Sequence, residues 1–98
     1  MFEISGPENG IIIFSGRLDT AQAERARSYT NSHTQVSTFD FAELEYISSA
    51  GLGVLLVVHK RLMRSGGTLK LINVNHHICD VFRYSGFDKL LDIVPVDS

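Results

Sequence analysis

The sequence has little of several features that mark whole classes of protein. Its 98 residues include one cysteine, two prolines and no tryptophan. One cysteine cannot form an internal disulfide, so the composition suits a reducing compartment. The longest apolar run, residues 54–58, is far shorter than the roughly 20 residues that span a bilayer, so we expect no membrane insertion. The first residues lack the basic and apolar segments of a signal peptide, which predicts a cytoplasmic protein.

An excess of either charge is also missing. Nine Lys and Arg residues nearly balance eleven Asp and Glu residues, and the formal net charge is −2. This balance provides no positive field for nucleic acid, so we expect no nucleic-acid partner. The length is that of one domain with one core, and no internal repeat or low-complexity linker divides it. Residues 1–98 are therefore predicted to form a single domain.

The order of apolar segments predicts an α/β fold. An Asn-Gly turn signal separates the first two apolar segments, which favours an antiparallel hairpin whose second strand is the more central and is buried on both faces. Later strands alternate with single helices, which implies parallel neighbours. The predicted order, ββαβαβαβ, gives a mixed sheet of four to five strands packed with about three helices. Strands are predicted at residues 2–5, 10–15, 35–41, 68–74 and 90–94, helices at 20–32, 48–65 and 76–85, and a short connection at 42–47.

The start of the second helix is unusual in charge and composition. Gly51 and Gly53 follow Ser48 and Ser49 closely, although each glycine costs about 1 kcal/mol relative to alanine in a helix. Residues 50–65 contain no carboxylate, whereas helices favour one near the unpaired N–H groups of the first turn. The helix start is therefore open to an anion, and a phosphate on a serine would add a charge of about −1.5 to −2 there. A serine at this place is more often only a cap, so both interpretations stay open on these residues alone.

Four segments carry a resemblance to a known family. Gly-Arg-Leu-Asp at residues 16–19 follows the second predicted strand, and Ser-Ser-Ala-Gly-Leu-Gly at residues 48–53 opens the second helix. Phe-Asp-Phe at residues 39–41 fits the third strand, and residues 82–87 fit the end of the third helix. In their order along the chain, these four segments resemble the STAS domain, a family that includes the bacterial anti-sigma factor antagonists. The resemblance covers nearly the whole chain and implies a STAS-like fold.

The resemblance also implies a phosphorylation site. The common pattern in the antagonists is Asp-Ser-(Ser or Thr)-Gly-Leu-Gly, whose first serine is phosphorylated. Aligned on the shared Gly-Leu-Gly, Ser49 falls on the phosphoacceptor, and Ser48 is the second choice. The sequence departs from the pattern at Ser48, where the family has aspartate, and at Ala50. Members of the family usually carry a further C-terminal helix, whereas only residues 95–98 follow the last predicted strand here, so we expect no such helix. The resemblance implies a partner-binding surface formed by Asp19, Ile47, Ser48, Ala50, Gly51, Leu52 and Gly53.

The implied function is a switch between partners. Unphosphorylated, the domain would bind an anti-sigma factor of the serine-kinase type and release the sigma factor. The kinase would phosphorylate Ser49 with ATP, and a serine phosphatase would reset it. The alternative is a STAS subunit of a larger assembly, such as a lipid-transport ABC system, in which phosphorylation plays no part. A third interpretation, nucleotide or small-ligand sensing, rests on family analogy alone.

Other candidate sites are weaker. His76, His77, Cys79 and Asp80 lie together, but no second pair of ligands completes a tetrahedral metal site, so we expect no metal and interpret Cys79 as a small buried residue. His59 falls on the inner face of the second helix and is predicted to be partly buried. No Gly-x-Ser-x-Gly elbow and no Walker-type loop is present, so we predict no enzymatic activity and no cofactor.

Overall fold

The computed structural model describes residues 1–96. It consists of a five-stranded sheet with three α-helices packed against one of its faces. The first two strands form the predicted hairpin, and each later strand is reached through a helix. Within residues 1–96, no helix is both long and apolar enough to cross a bilayer. The elements are β1 (Phe2–Glu8), β2 (Ile11–Leu18), α1 (Thr20–Asn31), β3 (Thr38–Ile47), α2 (Ser49–Arg64), β4 (Lys70–Val74), α3 (His76–Ser85), a 3₁₀ turn (Phe87–Lys89) and β5 (Asp92–Pro95).

The strands lie in the order β1-β2-β3-β4-β5, and only the β1–β2 pair is antiparallel. The predicted mixed sheet, with its central second strand and its order of elements, is therefore confirmed. Parallel neighbours need a crossover connection, and α1, α2 and α3 provide the three crossovers. Each of these helices follows the carboxyl end of a strand, so all three helices begin at the same edge of the sheet.

The core lies between the sheet and the helices, with Phe14 at its centre. The Phe14 ring lies 4.9 Å from the ring of Phe39 and 5.0 Å from that of Phe41, measured between centroids. Phe14 alternates along β2 with Ile11 and Ile13, which are only half-buried because they point to the opposite face. The prediction that β2 is buried on both faces was therefore wrong, since the helices cover one face only.

Several predicted boundaries differ from the structure. Residues 42–47, predicted as a connection, instead extend β3 to Ile47, and Leu44 and Ile47 pair with Gly16 and Leu18 of β2. The glutamates in this segment lie on the exposed face of the strand, so the apolar pattern of a strand is hard to recognise there. Register shifts also interrupt the alternation of buried and exposed side chains. β3 begins at Thr38 rather than at residue 35, because residues 32–35 form a turn. β1 and β2 are longer than predicted, β4 begins later, and β5 is displaced by the 3₁₀ turn before it.

A proline disfavours the pairing of a further strand with the outer side of β5. The Asp92 N–H donates to the carbonyl of Leu69, just before β4, and the Val96 N–H donates to that of Val74 at the end of β4, so the alternation of the strand directs position 95 outward. Pro95 has no N–H to offer there, which disfavours the addition of another strand. The sequence predicts no helix after the last strand and a domain that ends at residue 98. Both predictions involve residues 97 and 98, which lie outside the described residues.

The aromatic core gives a direct prediction of stability. Phe14→Ala removes a fully buried ring that contacts three other phenylalanines, and we expect it to lower the free energy of unfolding by about 3–5 kcal/mol. Tyr84→Ala is the control, because Tyr84 is 85% exposed, and its effect should stay within about 0.5 kcal/mol. Urea denaturation followed by far-UV circular dichroism measures both. Equal losses in the two variants would contradict the assignment of the core.

Candidate functional site

The ends of β2 and β3 bring the predicted site residues together at one edge of the sheet. Leu18 pairs with Ile47, and the Ser48 N–H donates a hydrogen bond of 2.9 Å to the Leu18 carbonyl. Asp19 and Ser48 follow these two strand ends directly, and each is the N-cap of the helix that it precedes. The starts of α1 and α2 therefore lie side by side.

The two candidate serines have different environments. The Ser48 hydroxyl is half-buried and accepts a hydrogen bond of 3.2 Å from the N–H of Gly51, so it caps α2. Ser49 is the first residue of α2 and is exposed, and its hydroxyl forms no hydrogen bond with any of residues 1–96. The Asp19 carboxylate likewise accepts a hydrogen bond of 3.2 Å from the Gln22 N–H, so it caps α1. Of the two serines, Ser49 is the one whose hydroxyl is free to react.

The two glycines of α2 also have different roles. A Cβ atom at Gly51 would lie 2.8 Å from the Ile47 side chain, 2.9 Å from Cγ of Leu18 and 3.1 Å from the Leu18 carbonyl oxygen. Only glycine lets α2 approach β2 this closely. A Cβ atom at Gly53 would meet nothing within 4 Å, so packing inside the described chain does not require glycine there.

The predicted surface is therefore divided into two layers. Ile47 is 4% exposed and Gly51 is buried, so both support the site from beneath. The outer layer carries Asp19, Ser48, Ala50, Leu52 and Gly53, which are half-buried, together with the exposed Ser49.

The charges at this edge come from few groups. The first turn of α2 contains no acidic residue, so the partial positive charge of its N–H groups is balanced by no carboxylate on that helix. Sequence reasoning missed one nearby feature, because it depends on strand register. The Arg17 guanidinium lies 4.3 Å from the centroid of the Tyr46 ring, and the two residues pair across β2 and β3 just before the helix starts.

The histidine and cysteine cluster lies on α3, where Cys79 is half-buried rather than buried as predicted. Burial, with a smaller effect of the Asp80 charge, raises the pKa of the Cys79 thiol, and Arg83 opposes this rise. Asp80 forms an ion pair with Arg83 on the same helix. Across residues 1–96, no three His, Cys, Asp or Glu side chains are grouped so as to hold a metal ion. His59 is buried, as the helical pattern predicted, and its Nδ1 has no hydrogen-bond partner in the described chain.

The site is a surface and not a cleft. Two shallow hollows elsewhere on the described surface are lined by other residues, one near Val36 and one near Glu45. The fold and the site thus define a small α/β domain that presents two helix starts and an exposed serine at one edge of its sheet.

The chain belongs to the STAS domain family, whose model matches residues 3–97. It is 38% identical over 85 residues to BtrV of Bordetella bronchiseptica, a protein assigned as an anti-sigma factor antagonist, and the match covers 87% of this chain and 70% of that protein.

Two solved structures have the same fold. A Thermotoga maritima protein, also assigned as an anti-sigma factor antagonist, superposes with a TM-score of 0.79 at 19% identity, over 99% of this chain and 86% of that chain. The Bacillus cell fate determinant SpoIIAA in its phosphorylated form superposes with a TM-score of 0.66 at 22% identity, over 96% of this chain and 91% of that chain. The fold expected from the sequence is thereby confirmed.

The environments of the serines predict different effects of their removal. Ser48→Ala deletes the cap of α2 and should lower the free energy of unfolding by about 1 kcal/mol. Ser49→Ala removes an exposed hydroxyl that has no partner in residues 1–96, so its effect should stay within about 0.5 kcal/mol. Urea denaturation of the two variants measures the difference. A larger loss at Ser49 than at Ser48 would contradict the assignment of the cap.

The contact beneath α2 predicts a cost for any side chain at Gly51. In Gly51→Ala the new methyl group meets the Leu18 carbonyl and two side chains, and overpacking of this kind costs roughly 1–3 kcal/mol. Alanine also favours the helix by up to about 1 kcal/mol, so a smaller net loss of stability is expected. Thermal unfolding followed by circular dichroism measures whether Gly51→Ala lowers or raises the stability. A variant more stable than the wild type would show that α2 does not need this close approach.

Proposed function

We propose that this chain is an anti-sigma factor antagonist that is switched off by phosphorylation of Ser49. The observation that carries the proposal is the exposed, unbonded Ser49 hydroxyl at the first position of α2, beside a Ser48 hydroxyl that serves as the cap. Two relatives support the proposal by their assignments, since BtrV and the Thermotoga protein are both assigned as anti-sigma factor antagonists. A phosphorylated form of SpoIIAA, a protein of the same fold, supports the modification.

In its unphosphorylated state the domain binds an anti-sigma factor that is also a serine kinase, and the sigma factor is released. The surface that docks is the outer layer of the site, where the small residues Ala50 and Gly53 flank Leu52. The α2 part of this surface carries no carboxylate, which suits an apolar or acidic partner. Asp19 at the start of α1 adds a carboxylate from the neighbouring element, and it contacts the partner while it caps its own helix.

Phosphorylation changes the charge of this surface and leaves the fold intact. The Ser49 Oγ forms a bond to the γ-phosphorus of ATP as the bond to the β-phosphate oxygen breaks, ADP leaves, and the hydroxyl proton passes to a base of the kinase. The phosphate adds about −1.5 to −2 to a chain whose formal charge is −2. At a helix N-terminus this dianion is favourable for the helix, but it opposes docking on an apolar or acidic surface. A serine phosphatase restores the binding state by transferring the phosphoryl group to water.

A charge substitution at Ser49 tests the switch. Ser49→Asp places a carboxylate at the first position of α2, where the helix dipole tolerates it, so thermal stability should equal or exceed that of the wild type. Affinity for the kinase-type anti-sigma factor, measured by titration calorimetry, should fall about 5- to 150-fold. Thr68→Asp is the matched control, because Thr68 is exposed and precedes β4, at the opposite edge of the sheet. It adds the same charge and should bind like the wild type.

The phosphoacceptor is identified separately by mass spectrometry after incubation with the kinase and ATP. Ser48→Ala should still accept one phosphate, whereas Ser49→Ala should accept none. A phosphate on Ser48 would contradict the assignment of the acceptor. Equal affinities of the wild type, Ser49→Asp and Thr68→Asp would contradict the switch as a whole.

A further inference from the structure

We propose that the docking surface continues from Ser49 along the exposed face of α2, and that it receives an acidic helix of the kinase-type partner. This inference rests on the proposed function and goes beyond it by naming the rest of the surface and the chemistry that fits it. The surface, called the α2 stripe below, consists of Ser49, Gly53, Val57, Lys60 and Arg64.

The five residues form one continuous face of the helix. With about 3.6 residues per turn, their spacing places all five within roughly 80° of one another around the helix axis. Ser49, Val57, Lys60 and Arg64 are exposed, and Gly53 is half-buried. The stripe therefore runs from the phosphoacceptor to the other end of α2.

The first half of the stripe is uncharged, and its exposed Val57 and its Gly53 have no partner in the described chain that requires them. Val57 is 42% exposed, and it lies beside the half-buried Leu56. Gly53 weakens the helix, yet a Cβ atom there would meet no atom within 4 Å. Ser49 and Gly53 are one turn apart and both small, which lets the backbone of a second helix approach closely. The structure thus places an open helix-crossing point one turn after Ser49.

The second half of the stripe carries unpaired positive charge. Lys60 and Arg64 form no ion pair with any carboxylate of residues 1–96. α2 itself has no carboxylate between Ser49 and Arg64. A partner helix with Asp or Glu residues toward this end would supply the missing counter-charges. A second copy of this chain would not, because it would bring two cationic stripes together.

The position of Ser49 identifies the occupant as the kinase. Gly53 lies roughly 6 Å and Val57 roughly 12 Å from Ser49 along the helix axis, at about 1.5 Å per residue. A kinase that brings the γ-phosphate of ATP to the Ser49 hydroxyl must cover the adjoining turns of α2. The stripe is therefore continuous with the surface that the proposed function already requires.

Gly53→Ala separates binding from folding. The added methyl group meets nothing in the described chain and replaces a poor helix former, so the midpoint of thermal unfolding should rise. The same methyl group fills the crossing point, so affinity for the kinase-type anti-sigma factor should fall about tenfold or more, as at other interface centres. A variant that is more stable and binds more weakly supports the inference. A variant that binds like the wild type overturns the inference that a partner helix crosses α2 at Gly53.

Lys60→Glu tests the charged half independently. It should weaken binding at low salt, and the loss should shrink as the salt concentration rises. Lys89→Glu is the matched control, because Lys89 is exposed on the 3₁₀ turn outside α2 and makes the same change of charge. Equal affinities of the Lys60→Glu and Lys89→Glu variants overturn the proposal of an acidic partner helix.

The wild type and Ser49→Asp are measured in the same calorimetric series. If the wild type binds and Ser49→Asp does not, while Gly53→Ala and Lys60→Glu bind normally, the proposed function stands and the α2 stripe fails. If the wild type itself does not bind the kinase-type anti-sigma factor, the proposed function fails and this inference fails with it.

Discussion

The contact between the start of α2 and the end of β2 determines the rest of the site. The Ser48 N–H donates to the Leu18 carbonyl, and Gly51 lies so close to Leu18 that no side chain fits between them. The same turn carries the Ser48 hydroxyl, which caps the helix, and Ser49, which is exposed to solvent. Gly51 thus supports the start of α2 from beneath, where it is itself buried.

The one-sided sheet explains why the candidate site residues lie at one edge. Parallel strands return through helices on the same face, so the starts of α1, α2 and α3 all lie at the carboxyl edge. The core around Phe14 fixes the strands that carry these helix starts. In the proposed function, a charge added at this edge changes binding without unfolding the domain.

Much of the fold, and part of the site, could be predicted from sequence. The order of elements followed from apolar periodicity, because this signal is local. Residues 42–47 were mistaken for a connection because polar side chains on the open face of β3 hide a strand that tertiary pairing stabilises. Gly51 and Gly53 look alike in the sequence, and what distinguishes them is the presence or absence of Leu18 beneath. The Arg17–Tyr46 pair depends on strand register, which no local pattern specifies.

The central claim is that a phosphate on Ser49 blocks docking while the fold persists. The most direct measurement is the dissociation constant for the kinase-type anti-sigma factor before and after enzymatic phosphorylation of the wild-type chain, with the site of the phosphate mapped by mass spectrometry. Circular dichroism should be unchanged after phosphorylation, and the affinity should be about 5- to 150-fold weaker. Equal affinities of the two forms, with Ser49 fully phosphorylated, would contradict this claim.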